Sequence, residues 1–285
     1  MRVIIAFFTA YMIAQAHAQE RPVVDVTVET DIYFYALEIM DGRLPVEVDN
    51  FEGLHTQRDV VEFILVQKAM ALGGLDVEFN ITHGNYDARN PKLLARGLLL
   101  ISFDTIWMSE ASLIKDNVYI SDAMVRKGEF WAGVYTSPDN QSALGIRSIK
   151  EFQKHTVVSS TAWRTDWMTL QAMKPLDLID ESDWISMAKM VSNQWIDLML
   201  IPFTAKRPFE YRGHDYRVVA IEGVKIKLDD SRHFLVSKKH PLGRETFDAL
   251  QKGLKILRAN GTIERAYHDS GFINDLVADW IILNE

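Results

Sequence analysis

Apolar and polar residues alternate from Val23 to Val28 in the run VVDVTVE. That period of two predicts a strand with one buried face. Over 58–71 the spacing changes to that of a helix, with Val61, Leu65, Lys68-Ala69 and Leu72 on or near one side. Gly73-Gly74 supplies its stop. A second strand is expected at 77–81, so the opening order is β-α-β, which calls for a parallel sheet. Asn90-Pro91 opens a short helix to 97, and the apolar run 98–103 reads as a buried strand. Further strands are expected at 125–136, 156–159, 176–179, 196–203 and 216–221.

Two helices fall between these strands. One carries Trp163, Trp167 and Leu170 on its apolar face. The other starts at Ser182-Asp183, and Trp184, Met187, Ala188, Val191 and Trp195 form its stripe. The chain closes with a β-run at 233–237 and a helix bearing Phe247, Leu250, Leu254 and Leu257 at helical spacing. Asn260-Gly261 ends that helix, because both residues tolerate a left-handed cap. A last helix spans 262–269, stopped at Gly271.

With 285 residues, 48% hydrophobic and 25% charged, the chain has a globular composition and length for one or two cores. Its net charge of −8, spread without a basic stripe, argues against a nucleic-acid partner. The absence of cysteine removes disulfides, thiolate metal sites and cysteine nucleophiles together. Residues 1–18 read as an export signal. Arg2 gives the positive start, an apolar core of about a dozen residues follows at 3–14, and Ala16-His17-Ala18 is a small-x-small cleavage site. Cleavage after Ala18 would start the mature chain at Gln19 and place a soluble protein in the periplasm.

Candidate chemistry gathers at strand ends. Tyr33 and Tyr35 lie just past the first strand, where the carboxyl edge of an α/β sheet meets ligands. Ser160, Thr161 and Arg164 sit where the 156–159 strand turns into a helix. A helix N-terminus there offers unpaired N–H groups and partial positive charge, the hydroxyls add donors, and Arg164 adds a charged fork. That combination suits an anion. The bland alternative is a helix cap at Thr161 and a solvated Arg164. No phosphate loop, HExxH, GxSxG, GxGxxG or calcium loop occurs, and the histidines beyond the leader are scattered. No cofactor is expected.

The wording of the closing segment, HFLVSKKHPLGRETFDALQKGLKILRANGTIERAYHDSGF, resembles that of extracytoplasmic solute-binding proteins of family 3, the polar amino-acid binders. The 149–152 stretch and IDLMLIPF at 196–203 are similar to other landmarks of that family. The resemblance implies an α/β, two-lobed periplasmic binding protein type II fold. Each lobe would be a mixed, mostly parallel sheet flanked by helices, with two strand crossovers between lobes. Lobe one would take 19–128 and the return segment 223–285, and lobe two 129–222.

It also implies ligand contacts at Trp107 and Ser109 on lobe one, and at Ser160, Thr161, Phe203 and Thr204 on lobe two. The family's first-lobe arginine is absent: EASLIKDNVYISD at 110–122 has Lys115 as its one cation, which leaves an ordinary α-amino acid in doubt. The implied function is capture of a small polar, possibly anionic, solute by a monomer and its delivery to an ABC-type membrane permease. One alternative on the same fold is a ligand-presenting sensor for a membrane receptor. A more distant one is a dehydratase-like enzyme using Glu110.

Overall fold

The structure, a computed structural model, describes residues 21–84 and 89–285. The leader and its cleavage site lie outside the described residues. Among these residues no helix is long and apolar enough to cross a membrane.

The chain opens with β1 (Val23–Glu29), which buries Val24, Val26 and Val28 on one face. It runs directly into α1 (Thr30–Met40). The aromatic run at 32–35, expected just past the first strand, lies there in the first turns of this helix. Ile32, Ala36 and Ile39 fall at helical spacing and are buried. Next come α2 (Arg58–Gly73) and β2 (Glu78–Gly84), and β2 lies parallel to β1 as the β-α-β order requires. Helix α3 (Asn90–Arg96) follows. Residues 99–103 of the apolar run are buried while Leu98 is exposed, and the run makes only an isolated bridge, Ile101 to Val236, in place of the expected strand. Two short strands, β3 (Ile106–Trp107) and β4 (Val118–Ile120), flank α4 (Met108–Ala111).

The second sheet begins with β5 (Trp131–Thr136). After the single turns α5 (Gln141–Leu144) and α6 (Ile149–Phe152) come β6 (Thr156–Ser159) and α7 (Arg164–Met173). They are followed by β7 (Asp177–Asp180), α8 (Trp184–Ser192) and β8 (Leu198–Ile201). The Asp183 side chain caps α8 by accepting from the Ser186 N–H at 2.7 Å. The stripe expected on α8 is buried at Met187, Ala188 and Val191. Trp195 departs from it: the helix ends at Ser192, and the indole is 72% exposed. Strands β9 (Glu210–Arg212) and β10 (Arg217–Lys227) complete the outward path.

The chain returns through β11 (Arg232–His233) and β12 (Leu235–Ser237), antiparallel to β3 and β4 respectively. Helices α9 (Gly243–Ala259) and α10 (Thr262–Asp269) follow, and β13 (Ile281–Ile282) ends the chain. The large sheet has the order β13-β10-β5-β8-β6-β7, with β9 against β10. Its β8-β6-β7 end is parallel, β5 runs antiparallel to both β8 and β10, and β10 is antiparallel to β9 but parallel to β13. Strand β10 runs along β5 with a register shift between Ala220 and Lys225. The final strand β13 joins this large sheet, although the return segment as a whole was expected in lobe one.

Helix α9 lies on α2 and buries Leu250, Leu254 and Leu257, each worth roughly 1.5–3 kcal/mol of apolar burial. Two glycines let these backbones touch. A Cβ on Gly73 would stand 1.9 Å from the Ala249 carbonyl oxygen, and one on Gly253 would stand 1.8 Å from that of Ala69. This contact fixes the height of α2, and its first turn carries the charged residues of the cleft.

Candidate functional site

Glu62 is the hub. It sits in the apolar run VVEFILV of α2 with its side chain fully buried. A carboxylate there must be fully partnered, because burial strips its water. Four donors meet it. Arg58 Nη1 donates to Oε2 at 2.6 Å, and the Thr105 N–H donates to the same oxygen at 2.8 Å. The Thr105 hydroxyl and the Tyr267 hydroxyl each donate to Oε1 at 2.7 Å. The hub thus ties α2 to the 103–105 turn and to α10. Burial, together with the neighbouring Glu62 charge, holds the Tyr267 hydroxyl protonated far above its usual range.

Two guanidinium groups extend this hub to the cleft. Arg58 is drawn down by Glu62 and sits 5.9 Å over the Phe272 ring. Burial alone would lower its pKa, but Glu62 and Asp59 outweigh it and the net shift is upward. Arg232 lies 4.5 Å over the Trp107 ring, donates from Nε to the Thr105 hydroxyl at 2.9 Å, and donates from Nη2 to the Thr105 carbonyl. Burial and the neighbouring Arg58 charge push its pKa down.

Carboxylates crowd the same space. Asp59 follows Arg58 on α2, and Asp104 precedes Thr105. From the other lobe comes Asp166, on the first turn of α7, within the fields of Arg232 and Arg58. Burial raises Asp104 and Asp166 to about 6 each, against the pull of the arginines, and Glu62 adds to the shift at Asp104. Asp59 is raised too, first by burial. Tyr211 of lobe two lies within the field of Asp59. A cavity of about 30 Å³ opens here, lined by Arg58, Asp59, Asp104, Thr27, Phe63 and Phe103 among others.

The lobes touch along one rim of the cleft. The Ser109 and Thr165 hydroxyls share a hydrogen bond at 3.1 Å, joining α4 to α7. Asp230 accepts from the Ser109 N–H at 3.1 Å and from the Thr165 hydroxyl at 3.4 Å. Burial raises the pKa of Glu110, against the opposing pull of Arg232. Lys206 pairs with Glu52 at 3.7 Å.

The residues singled out in the sequence scatter around this centre. Trp107 is the floor under Arg232, and Ser109 is on the touching rim. Tyr33 stacks on His83 with centroids 5.3 Å apart. Tyr35 stacks on His55 at 4.4 Å and lines a separate, open hollow with Glu38 and Arg43. Ser160 is buried, and its hydroxyl accepts from the Ala162 N–H at 3.2 Å. Thr161 turns to its own lobe and donates from both N–H and hydroxyl to Asp180. Arg164 is exposed. The Phe203 ring is spent on the lobe-two core, among Tyr135, Phe209 and Trp280. The Thr204 hydroxyl closes onto the Lys206 carbonyl at 3.1 Å.

Sequence reading passed over Arg58, Asp59, Glu62, Asp104, Asp166 and Arg232 as site residues. One signal was present: a glutamate inside the apolar run VVEFILV, four residues after an arginine.

No protein-family model matches the sequence, and no curated protein matches it in sequence. Solved structures do match the fold. The probable amino-acid ABC transporter extracellular-binding protein ytmK from Bacillus subtilis superposes with a TM-score of 0.58 at 14% identity, covering 88% of this chain and 99% of its own. A mutant of ArgBP from T. maritima gives 0.53 at 15% identity, covering 87% and 94%. An ancestral arginine-binding protein bound to arginine gives 0.53 at 13% identity, covering 88% and 98%. The chain therefore has the type II periplasmic binding protein fold, the fold of amino-acid ABC transporter solute-binding proteins.

Proposed function

We propose that this protein is an extracytoplasmic solute-binding protein. It captures a small polar solute between its lobes and hands it to an ABC-type membrane transporter. The observation that carries the reading is the meeting of charged groups from both lobes. Arg58, Asp59 and Asp104 line a cavity, while Asp166 lies within the fields of Arg58 and Arg232, and Tyr211 within that of Asp59. A site divided between lobes couples occupancy to closure, because only the closed form offers both halves. The fold neighbours, named as amino-acid and arginine binders, support the same class of ligand. The reading includes export to the periplasm, cleavage after Ala18 and action as a monomer. Lobe one is taken as 19–128 with 223–285, and lobe two as 129–222.

The protein acts as a carrier and not as an enzyme. Thermal unfolding of residues 19–285 against amino acids, carboxylates, sugars and polyamines tests the proposal. A ligand at about 100 times its Kd should add roughly 2.7 kcal/mol, and mass spectrometry should recover it unchanged. A melting temperature indifferent to every compound would refute the carrier reading, and turnover of the ligand would refute the non-enzyme part.

A further inference from the structure

We propose that the pole of lobe one away from the cleft docks on an anionic phospholipid surface. No cleft residue takes part, and the carrier reading is not needed for it. Charge reverses locally at this pole. The chain carries a net charge of −8, yet five cations meet at one edge. Residues 98–102, β12 and β4 lie side by side there: Ile101 bridges Val236, and Ser237 pairs with Val118. Their ends bring Arg96, Lys115, Lys238 and Lys239 together. A Cβ on Gly97 would stand 2.9 Å from that of Lys239. Lys238 Nζ donates to the Lys115 carbonyl at 2.8 Å. The fifth cation, Arg244 on α9, shares the Tyr119 ring with Lys238, at 5.8 Å and 5.4 Å from its centroid. These residues come from separate stretches of the chain, so no basic run in the sequence announces them.

Carboxylates beside them are fewer. Arg244 pairs with Asp248 at 2.8 Å, and Asp116 and Glu245 are exposed. Among the described residues Arg96, Lys115, Lys238 and Lys239 form no ion pair, and all four are exposed. Two leucines stand among the charges. Leu98 follows Gly97 and is 62% exposed, and Leu113, just before Lys115, is 71% exposed. Exposed leucines set among lysines match a bilayer interface. Headgroup phosphates meet the ammonium groups, the lysine stems lie along apolar surface, and the leucines enter the acyl boundary. Neither cavity described above reaches this edge, and a bilayer needs none. A second copy of the chain would have to bring a different, acidic face to this pole. Such a heterologous contact does not pair two copies symmetrically and leads to rings or filaments. The position also suits a membrane. Arg232 belongs to the cleft, and the extended chain from there to Lys238 is about 20 Å long. A docked pole therefore leaves the cleft free to open.

The test is co-sedimentation of residues 19–285 with vesicles of phosphatidylglycerol and phosphatidylethanolamine in equal amounts, against vesicles of phosphatidylcholine alone. We expect binding to the anionic vesicles and little to the neutral ones. At about 1 M salt, where the screening length falls to about 3 Å, the binding should be lost. Lys238→Glu with Lys239→Glu should weaken it about tenfold or more, since each basic residue near such a surface counts about fivefold. Leu98→Ser with Leu113→Ser should weaken it severalfold and leave the salt dependence in place. All four side chains are exposed, so each variant should keep the cooperative melt of the parent. Should the lysine variant lose it, Arg96→Gln with Lys115→Gln takes its place. Equal binding to both lipids, or undiminished binding in the charge variants, would overturn the proposal. Failure to bind the anionic vesicles would do the same. Self-association without lipid, abolished in the lysine variant, would assign the pole to a second copy instead.

Discussion

Glu62 and Asp166 are carboxylates within the fields of the same two arginines, and they live under opposite conditions. Glu62 is sealed from solvent and receives four hydrogen bonds from three residues. Asp166 is half-buried at the first turn of α7, and burial raises it to about 6. The first is structural: its charge is fully repaid by donors, and it fixes the 103–105 turn against α2 and α10. The second lacks such repayment, and that shortfall is what a ligand can supply. A binding cleft keeps its rigid and its unsatisfied electrostatics side by side, and the rigid half holds the other half open for business with solutes.

The contrast can be broken most severely at Glu62. Glu62→Ala leaves Arg58 facing a buried hollow and strands the Tyr267 and Thr105 hydroxyls. Removing one partner of a buried pair costs about 3–5 kcal/mol, so chemical denaturation should show a loss of that size. Tyr267→Phe removes one donor and keeps the ring, which packs tilted against Phe272. A hydrogen bond to a charged group is worth about 1.5–3 kcal/mol, and the loss should fall in that range. A cost near zero for either variant would mean that Glu62 is not the hub.

Asp166→Asn should act in the other direction. The folded carboxyl titrates at about 6, above the ordinary aspartate value of 3.8. The folded protein therefore holds this proton more tightly than the unfolded chain. The stabilisation is complete below about pH 3.8 and is lost as pH rises through 6. At pH 7.5 the ionised group weighs against the fold, and asparagine relieves it. The full shift would correspond to about 3 kcal/mol. Screening at a half-buried side chain reduces this to about 1–2 kcal/mol. Thermal melts between pH 5 and 7.5 should show the wild type losing stability across pH 6 and the variant losing less. Equal slopes would place Asp166 in ordinary solvent.

The fold was legible where its signals are local. The α9 stripe, the Asn260-Gly261 stop, the β6 strand and the Asp183 cap all rest on neighbours within a turn or two, and each stands where the pattern put it. The run 32–35 lies just past β1 as expected, but its aromatics obscured the Ile32, Ala36, Ile39 spacing that makes it helical. The run 98–103 looked like a strand because burial and strand pairing leave the same apolar pattern, and only tertiary contacts tell them apart. The site was far less legible. Arg232 reaches Thr105 across 127 residues, and Tyr267 reaches Glu62 across 205. No spacing rule spans such distances. Thr161 and Phe203 looked like contacts from their place in the chain, but a side chain's direction decides, and theirs point to Asp180 and to the lobe-two core.

The smallest effect expected is at the rim where the lobes meet. Thr165 shares a hydrogen bond with Ser109 and donates to Asp230 at a longer 3.4 Å. Both contacts are at least partly open to water, so Thr165→Val should change unfolding stability by no more than about 1 kcal/mol. Its effect should appear instead in the balance between open and closed lobes. Those two contacts exist only when α7 lies against α4, whereas the Glu62 hub lies wholly within lobe one and is indifferent to closure. A shift of about 1 kcal/mol moves a two-state equilibrium roughly fivefold. Distance measurements between labels on the two lobes should therefore show a more open population in Thr165→Val, with the melting temperature nearly unchanged. In Tyr267→Phe the pattern should reverse, with lower stability and the same lobe separation. If both variants opened the lobes equally, the rim and the hub would be one cooperative unit, and the division of labour between Glu62 and Asp166 would have to be abandoned.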